Sequence, residues 1–232
     1  MLKVLVKKEL AEIFRSYFYN AKKNKARSKG ATAAYFVLFA LLMAGILGGM
    51  FAVLAKTLCA PLHAAGVDWL YFAMMGLIAV LLGAFGSVFT TYSTLYLAKD
   101  NDLLLSLPIP VSVLMASRMT TVYLMGLLYS GVVMLPAILV YWAQAAFTLP
   151  TLLGGLLLTA LISVFVMTVS CALGFVVAKI SLKLKRKSLI TVIVSLAFFA
   201  VYYFVVFKAQ TLISELLSNA EAFGEAVKGA AY

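Results

Sequence analysis

The sequence predicts an all-α, polytopic membrane helix bundle, with five transmembrane helices preceded by an amphipathic interfacial helix. Three observations carry that prediction. Hydrophobic residues make up 65% of the chain and charged residues 12%, with a mean hydropathy of +1.07, which leaves too little polar surface to cover a water-borne globule. The apolar residues collect in long runs, each close to the ~20 residues needed to cross a hydrocarbon core of about 30 Å. The formal charge of +11 sits between those runs. It therefore reads as an orientation signal and not as a surface for nucleic acid, which is not an expected partner.

Residues 1–30 form the first unit, an interfacial helix and a basic linker. Leu2, Val6, Leu10, Ile13, Phe14, Tyr17 and Phe18 recur at helical spacing, with Lys3, Lys7, Lys8, Glu12 and Arg15 on other faces. Such a helix is too charged to span. It fits a membrane surface, basic groups toward head groups and rings toward lipid, ahead of the alternative that it packs on a soluble partner. The run from Lys22 to Lys29 has no apolar period and reads as a solvated topology signal or a site for anionic lipid.

Residues 31–207 form the membrane domain. The first span covers about residues 32–55, where Ala40, Ala44, Gly48 and Ala52 recur at four-residue spacing. A small-residue stripe lets a neighbouring helix approach closely, in the same bundle or in another subunit. The connection over residues 56–68 holds Pro61, Gly66, Asp68 and His63, the one histidine of the chain. Without partners it reads as a surface residue. The second span begins near Trp69. Taken as one helix to Leu97 it is about 43 Å long, more than the core requires, so it is expected to protrude.

The third span is expected at about residues 119–142, kinked at Pro136, the fourth at 150–177 and the fifth at 189–207, with Tyr202 and Tyr203 as interfacial anchors. Residues 208–232 keep an amphipathic face through Leu212, Leu216, Ala220 and Phe223 and form an extracytoplasmic segment. Placing the N-terminus inside leaves only Lys56, Lys208 and Lys228 of the nineteen basic residues outside, as the positive-inside rule asks. About thirty residues of charged sequence precede the first apolar run, unlike a cleavable signal peptide.

Between the second and third spans lies a cytoplasmic segment at residues 98–112. Asp100 or Asn101 can cap a helix start, and the Asp100 and Asp102 carboxylates suit the positive end of its dipole. Pro108 and Pro110 stop it hard, since each proline removes a donor and biases the residue before it away from helical geometry. The result is a rigid helix of about two turns presenting Leu103, Leu104 and Leu107 on one side. On pattern alone it is either a device to be gripped from outside the bilayer or an ordinary loop with capping aspartates.

Residues 99–118, KDNDLLLSLPIPVSVLMASR, resemble the segment between the second and third spans of ABC-2-type exporter permeases. There an acidic-polar start, a Leu-Leu-x-x-Pro core and a basic residue before the next span recur. Two departures stand out: Arg118 replaces a more common Gly-Lys pair, and the lead-in is Lys-Asp-Asn-Asp where the family is Glu-rich. The resemblance implies that Asp100, Asn101, Asp102, Leu103, Leu104, Leu107, Pro108 and Pro110 couple the chain to a cytoplasmic ABC ATPase. It implies that ATP and Mg are bound by that partner, with no cofactor on this chain. It also implies a second permease bundle, from a homodimer or the remainder of a longer chain, and a bacterial plasma membrane. The family usually carries six spans, so five here are expected to continue past Tyr232 or to be completed by re-entry of residues 208–232.

The spans so bounded hold no Asp, Glu, Lys, Arg or His, whereas ion-driven carriers use such a group for coupling. No GxxxxGK[ST] loop occurs, so energy for transport has to come from another subunit. Cys59 and Cys171 lie apart, with no ligand cluster for a metal. No catalytic constellation is present and no enzyme activity is expected. Tyr123, Tyr129, Ser130, Ser163, Thr168 and Ser170 are candidates for a translocation path, although helix-to-helix hydrogen bonding is the commoner use of such groups. The expected function is the permease subunit of an ATP-driven exporter for a lipid, peptide or drug-like substrate. The alternative is a membrane scaffold, immunity or accessory protein that transports nothing.

Overall fold

The structure, a computed structural model, describes residues 1–20, 25–97, 106, 109–145 and 148–183, and further along 196–197, 199–201, 203–204, 207–208 and 211. The chain opens with α1 (Leu2–Ile13) and a single turn, α2 (Arg15–Phe18). A two-residue antiparallel pairing follows, β1 (Tyr19–Asn20) with β2 (Lys25–Ala26). The other regular elements among the described residues are helical. α3 (Lys29–Ala40) runs through a π-helical stretch, Leu41–Leu47, into α4 (Gly48–Ala64). Then come α5 (Asp68–Thr91) with a second π-helical stretch, Tyr92–Tyr96, α6 (Val111–Gln144) and α7 (Leu149–Lys183).

Four of these helical rods are long and apolar enough to cross a membrane. Much of the fifth expected span, and residues 212–232, lie outside the described residues. Within that span Leu196, Phe199, Val201 and Tyr203 are helical and exposed.

Three boundaries differ from the sequence expectation, the first two for a local reason. The first rod continues past Ala55 to Ala64, carrying Lys56 exposed on its surface, because its stop signal comes later. There Gly66 takes φ 70°, the Gly66 N–H donates to the His63 carbonyl and the Val67 N–H to the Leu62 carbonyl, both at 3.0 Å. That is the Schellman arrangement, which needs a residue tolerant of positive φ at its turn. α6 begins at Val111, well before Met119, because Pro110 caps it with φ −58° and ψ 132°. A proline with no N–H to leave unpaired is suited to a helix start. α7 likewise runs on to Lys183.

The core lies where α4, α5 and α6 meet, around Phe51, Leu58, Tyr71, Met75, Met134 and Ile138. The Tyr71 hydroxyl donates to the Ala137 carbonyl at 2.8 Å, tying α5 to α6 beside Pro136. α7 closes the far side. Among the residues whose burial is described, α3 and the π-helical stretch after it contain no buried one, whereas α4 buries Gly48, Phe51, Ala55 and Leu58. The π-helical stretch thus falls at the boundary between the half of the first rod that leaves the bundle and the half that joins it. Such turns mark irregular, often functional, points in a helix.

Candidate functional site

The most specific chemistry in the described residues lies at the start of α6. Leu114, Ser117, Arg118 and Thr121 follow one another at i, i+3, i+4 and i+7, so they form one stripe. All four are buried. The element that covers them is α1, through Leu5 and Glu9, which are themselves one helical turn apart and buried. Leu5 packs on Leu114, with Ile109 and Val113 beside them. Below this small apolar patch the Glu9 carboxylate meets Arg118, Oε1 to Nε at 3.8 Å, with the two side chains 8% and 3% exposed. Ser117 has one hydroxyl proton and two acceptors for it, Glu9 Oε1 at 3.1 Å and the Leu114 carbonyl at 2.8 Å. Glu9 Oε2 is buried and accepts no hydrogen bond from the described residues.

Burial pushes the Glu9 carboxyl above the ordinary carboxylate value, against the lowering pull of the Thr121 and Ser117 hydroxyls and of Arg118. A group whose folded pKa is raised binds its proton more tightly in the docked state than when α1 is free. Docking of α1 therefore strengthens as pH falls through that raised value and is fully strengthened below 4.5, the model-compound value. Spin labels on the exposed positions Val4 and Met115 give the readout. Their distance distribution is expected to narrow as pH is lowered from about 8 toward 5, and to lose that dependence in Glu9→Gln.

α1 is held at its other end by rings. Phe14, which follows α1, packs on Phe36 and Phe39 of α3 at centroid distances of 5.9 and 6.0 Å, and Phe18 packs on Phe36 at 5.4 Å. The helix thus bridges the first rod and the root of α6. A corresponding clamp sits at the end of α5. The Tyr92 hydroxyl donates to Ser181 Oγ at 2.9 Å and the Tyr96 hydroxyl to the Cys171 carbonyl at 3.0 Å, both on α7. Gly174 leaves room for the Tyr96 ring: a Cβ there would lie 3.2 Å from it.

Between these two clamps runs the segment at residues 98–112. Asp100, Asn101, Asp102, Leu103, Leu104, Leu107 and Pro108 lie outside the described residues, and Pro110 caps α6. Of the translocation-path candidates, Ser130 and Ser163 are buried and hydrogen-bonded to one another at 3.0 Å. Ser170 pairs with Ser87 of α5 at 2.7 Å. Thr168 is exposed and donates to the Val164 carbonyl at 3.1 Å. Tyr129 is half-buried over Gly86, and Tyr123 is half-buried one helical segment away. The two serine pairs stitch α5 and α6 to α7.

Of the small-residue stripe, Gly48 is buried against Pro136 and Ala52 is half-buried, whereas Ala40 and Ala44 are exposed. The glycines at which an added Cβ would press hardest on a neighbouring helix's side chain are Gly83 and Gly86 of α5 and Gly155 of α7. Sequence reasoning also passed over Glu9. Its signal was a carboxylate one turn from Leu5 with no basic residue one turn away on that stripe, facing a later helix that starts with a single arginine. His63 is exposed and is paired, Nδ1 to Asp68 Oδ1 at 2.8 Å, across the turn between α4 and α5. No group of three metal-ligating side chains occurs among the described residues. Comparison with family models, with curated proteins and with solved structures finds no match for this chain.

Proposed function

We propose that this chain is the transmembrane permease subunit of an ATP-driven exporter of the ABC-2 type, moving a lipid, peptide or drug-like substrate. ATP and Mg are bound by a cytoplasmic ATPase partner. The N-terminus and the segment at residues 98–112 lie on the cytoplasmic side of a plasma membrane, α1 lies at that surface, and the fifth span occupies residues 189–207. A second bundle, from another copy or from a longer chain, completes the permease.

One observation carries this reading. Both helices that flank the segment are gripped at the residues nearest to it: α5 by Tyr92 and Tyr96 on α7, α6 by Glu9 and Leu5 of α1. A push on the segment is therefore delivered to α1, α5, α6 and α7 together and not absorbed in loose helix ends. Leu103, Leu104 and Leu107 fill the ATPase groove, while Asp100 and Asp102 cap the short helix or meet basic groups there.

The closed serine pairs favour a second reading, a membrane scaffold, immunity or accessory protein that transports nothing, since hydroxyls spent on one another do not serve a substrate. Extraction of native membranes in a gentle detergent separates the two. The permease reading expects a nucleotide-binding subunit in stoichiometric amount, lost when Leu104 and Leu107 are both replaced by Asp while the melting temperature of the bundle is unchanged. Its absence from the wild-type preparation, or its retention by the double variant, sinks the coupling role.

A further inference from the structure

A groove of about 670 Å³ opens between α5 and α7 at the end of the bundle that carries the Gly66 turn, with Tyr141 of α6 also lining it. Its walls run from Trp69 to Val80 along α5 and from Thr151 to Ile162 along α7. At about 1.5 Å per residue that is a slot about 16 Å deep. Half of a hydrocarbon core is about 15 Å, so the slot matches the reach of one leaflet's acyl chains. Its depth is apolar, and glycine makes the space: a Cβ on Gly154 would meet nothing within 4 Å.

The polar and ring-bearing groups gather at the mouth. The Phe72 and Tyr141 rings lie 4.8 Å apart there, and Trp69 is exposed beside them. Asp68 precedes Trp69, has the Tyr141 phenol within hydrogen-bonding reach, and is partly exposed despite its contact with His63. A carboxylate next to aromatic faces is complementary to an ammonium group, which both attract. It repels a head group that carries only phosphate charge.

We propose that this groove binds one phospholipid, its tail lying along Gly154 and its ammonium-bearing head group meeting Asp68 and the rings at the mouth. The site does not depend on the exporter reading, since a structural lipid serves a transporter and a scaffold alike.

The test uses the full chain in nanodiscs of equimolar phosphatidylethanolamine and phosphatidylglycerol, moved to mild detergent and weighed by native mass spectrometry. One retained phospholipid per chain is expected, with phosphatidylethanolamine favoured about fivefold. Gly154→Leu and Ala73→Leu fill the slot from opposite walls and displace the tail, so each is expected to lose most of the retained lipid. Gly49→Leu, at another glycine with nothing within 4 Å of its Cβ, leaves retention unchanged and controls for added bulk. No retained lipid, equal retention by the Gly154 variant, or no preference between the two lipids overturns the proposal. So does a disulfide from Gly154→Cys to a cysteine placed at Ala197 or in a second copy, because protein then fills the slot.

Discussion

Replacing Arg118 with Met is expected to release α1 from the bundle. The substitution keeps the volume and the apolar stem of the side chain but leaves the Glu9 carboxylate buried without its cation. Breaking a buried pair in this way costs about 3–5 kcal/mol, because the remaining charge has lost both water and partner. Ser117 and Thr121 offer Glu9 hydrogen bonds but no charge, so they recover only part of that. Protonation is the carboxylate's way out, and it caps the loss. The defect is therefore greatest at alkaline pH and shrinks as the solution is acidified. A second change, Glu9→Leu, removes the stranded charge, and the pair Glu9→Leu/Arg118→Met is expected to dock α1 at least as firmly as Glu9→Gln. Distances between spin labels at Val4 and Met115 report docking directly. Unchanged distances in Arg118→Met at about pH 8 would falsify the ion pair as the latch.

How much of this was legible in the sequence depends on the length scale of the signal. Runs of apolar residues identify the membrane-crossing rods because the bilayer sets a length that few other structures need. Their ends were less legible. The start of α6 mixes Val111, Val113 and Leu114 with Ser112, Ser117 and Arg118, and only the burial of that mixed face by α1 shows why a polar stretch continues the helix. Leu5 and Glu9 belong to the same problem. An amphipathic helix was evident, but its apolar side as drawn through Leu2, Val6 and Leu10 is rotated from the Leu5–Glu9 stripe that docks. Hydrophobic periodicity cannot anticipate a charge that is buried against another charge far along the chain.

The small-residue stripe shows a different limit. Four-residue spacing drew attention to Ala40, Ala44, Gly48 and Ala52, yet half of that stripe leaves the bundle. The close contacts fall on α5, where Gly76 and Gly83 share a face at seven-residue spacing, with Ser87 one turn further on. Which small residues are used depends on where the neighbouring helix crosses, and that is a tertiary property.

Gly83 gives the second large expected effect. A Cβ there would lie 2.9 Å from both γ-carbons of Val166, which is wholly buried and whose Cγ1 would also lie 3.2 Å from a Cβ on Gly126 of α6. Val166 has nowhere to turn, since its opposite flank is already occupied, so Gly83→Ala forces the helices apart. Overpacking of this kind costs about 1–3 kcal/mol, and Gly83→Leu more. Val166→Ala alone destabilises by leaving a void, yet in the double variant the new methyl at position 83 occupies the space the valine gave up. Thermal unfolding in detergent is expected to show the double variant more stable than the sum of the singles by about 1 kcal/mol or more, as for residues in direct contact. Gly154→Leu, where the added side chain enters open space, is expected to leave the melting temperature unchanged. A glycine that brings helices together and a glycine that holds a slot open are thus told apart by stability alone. Additive losses at Gly83 and Val166 would mean that the three helices do not meet at that valine. The α5 clamp at Tyr92 and Tyr96 would then have no stiff bundle to push against.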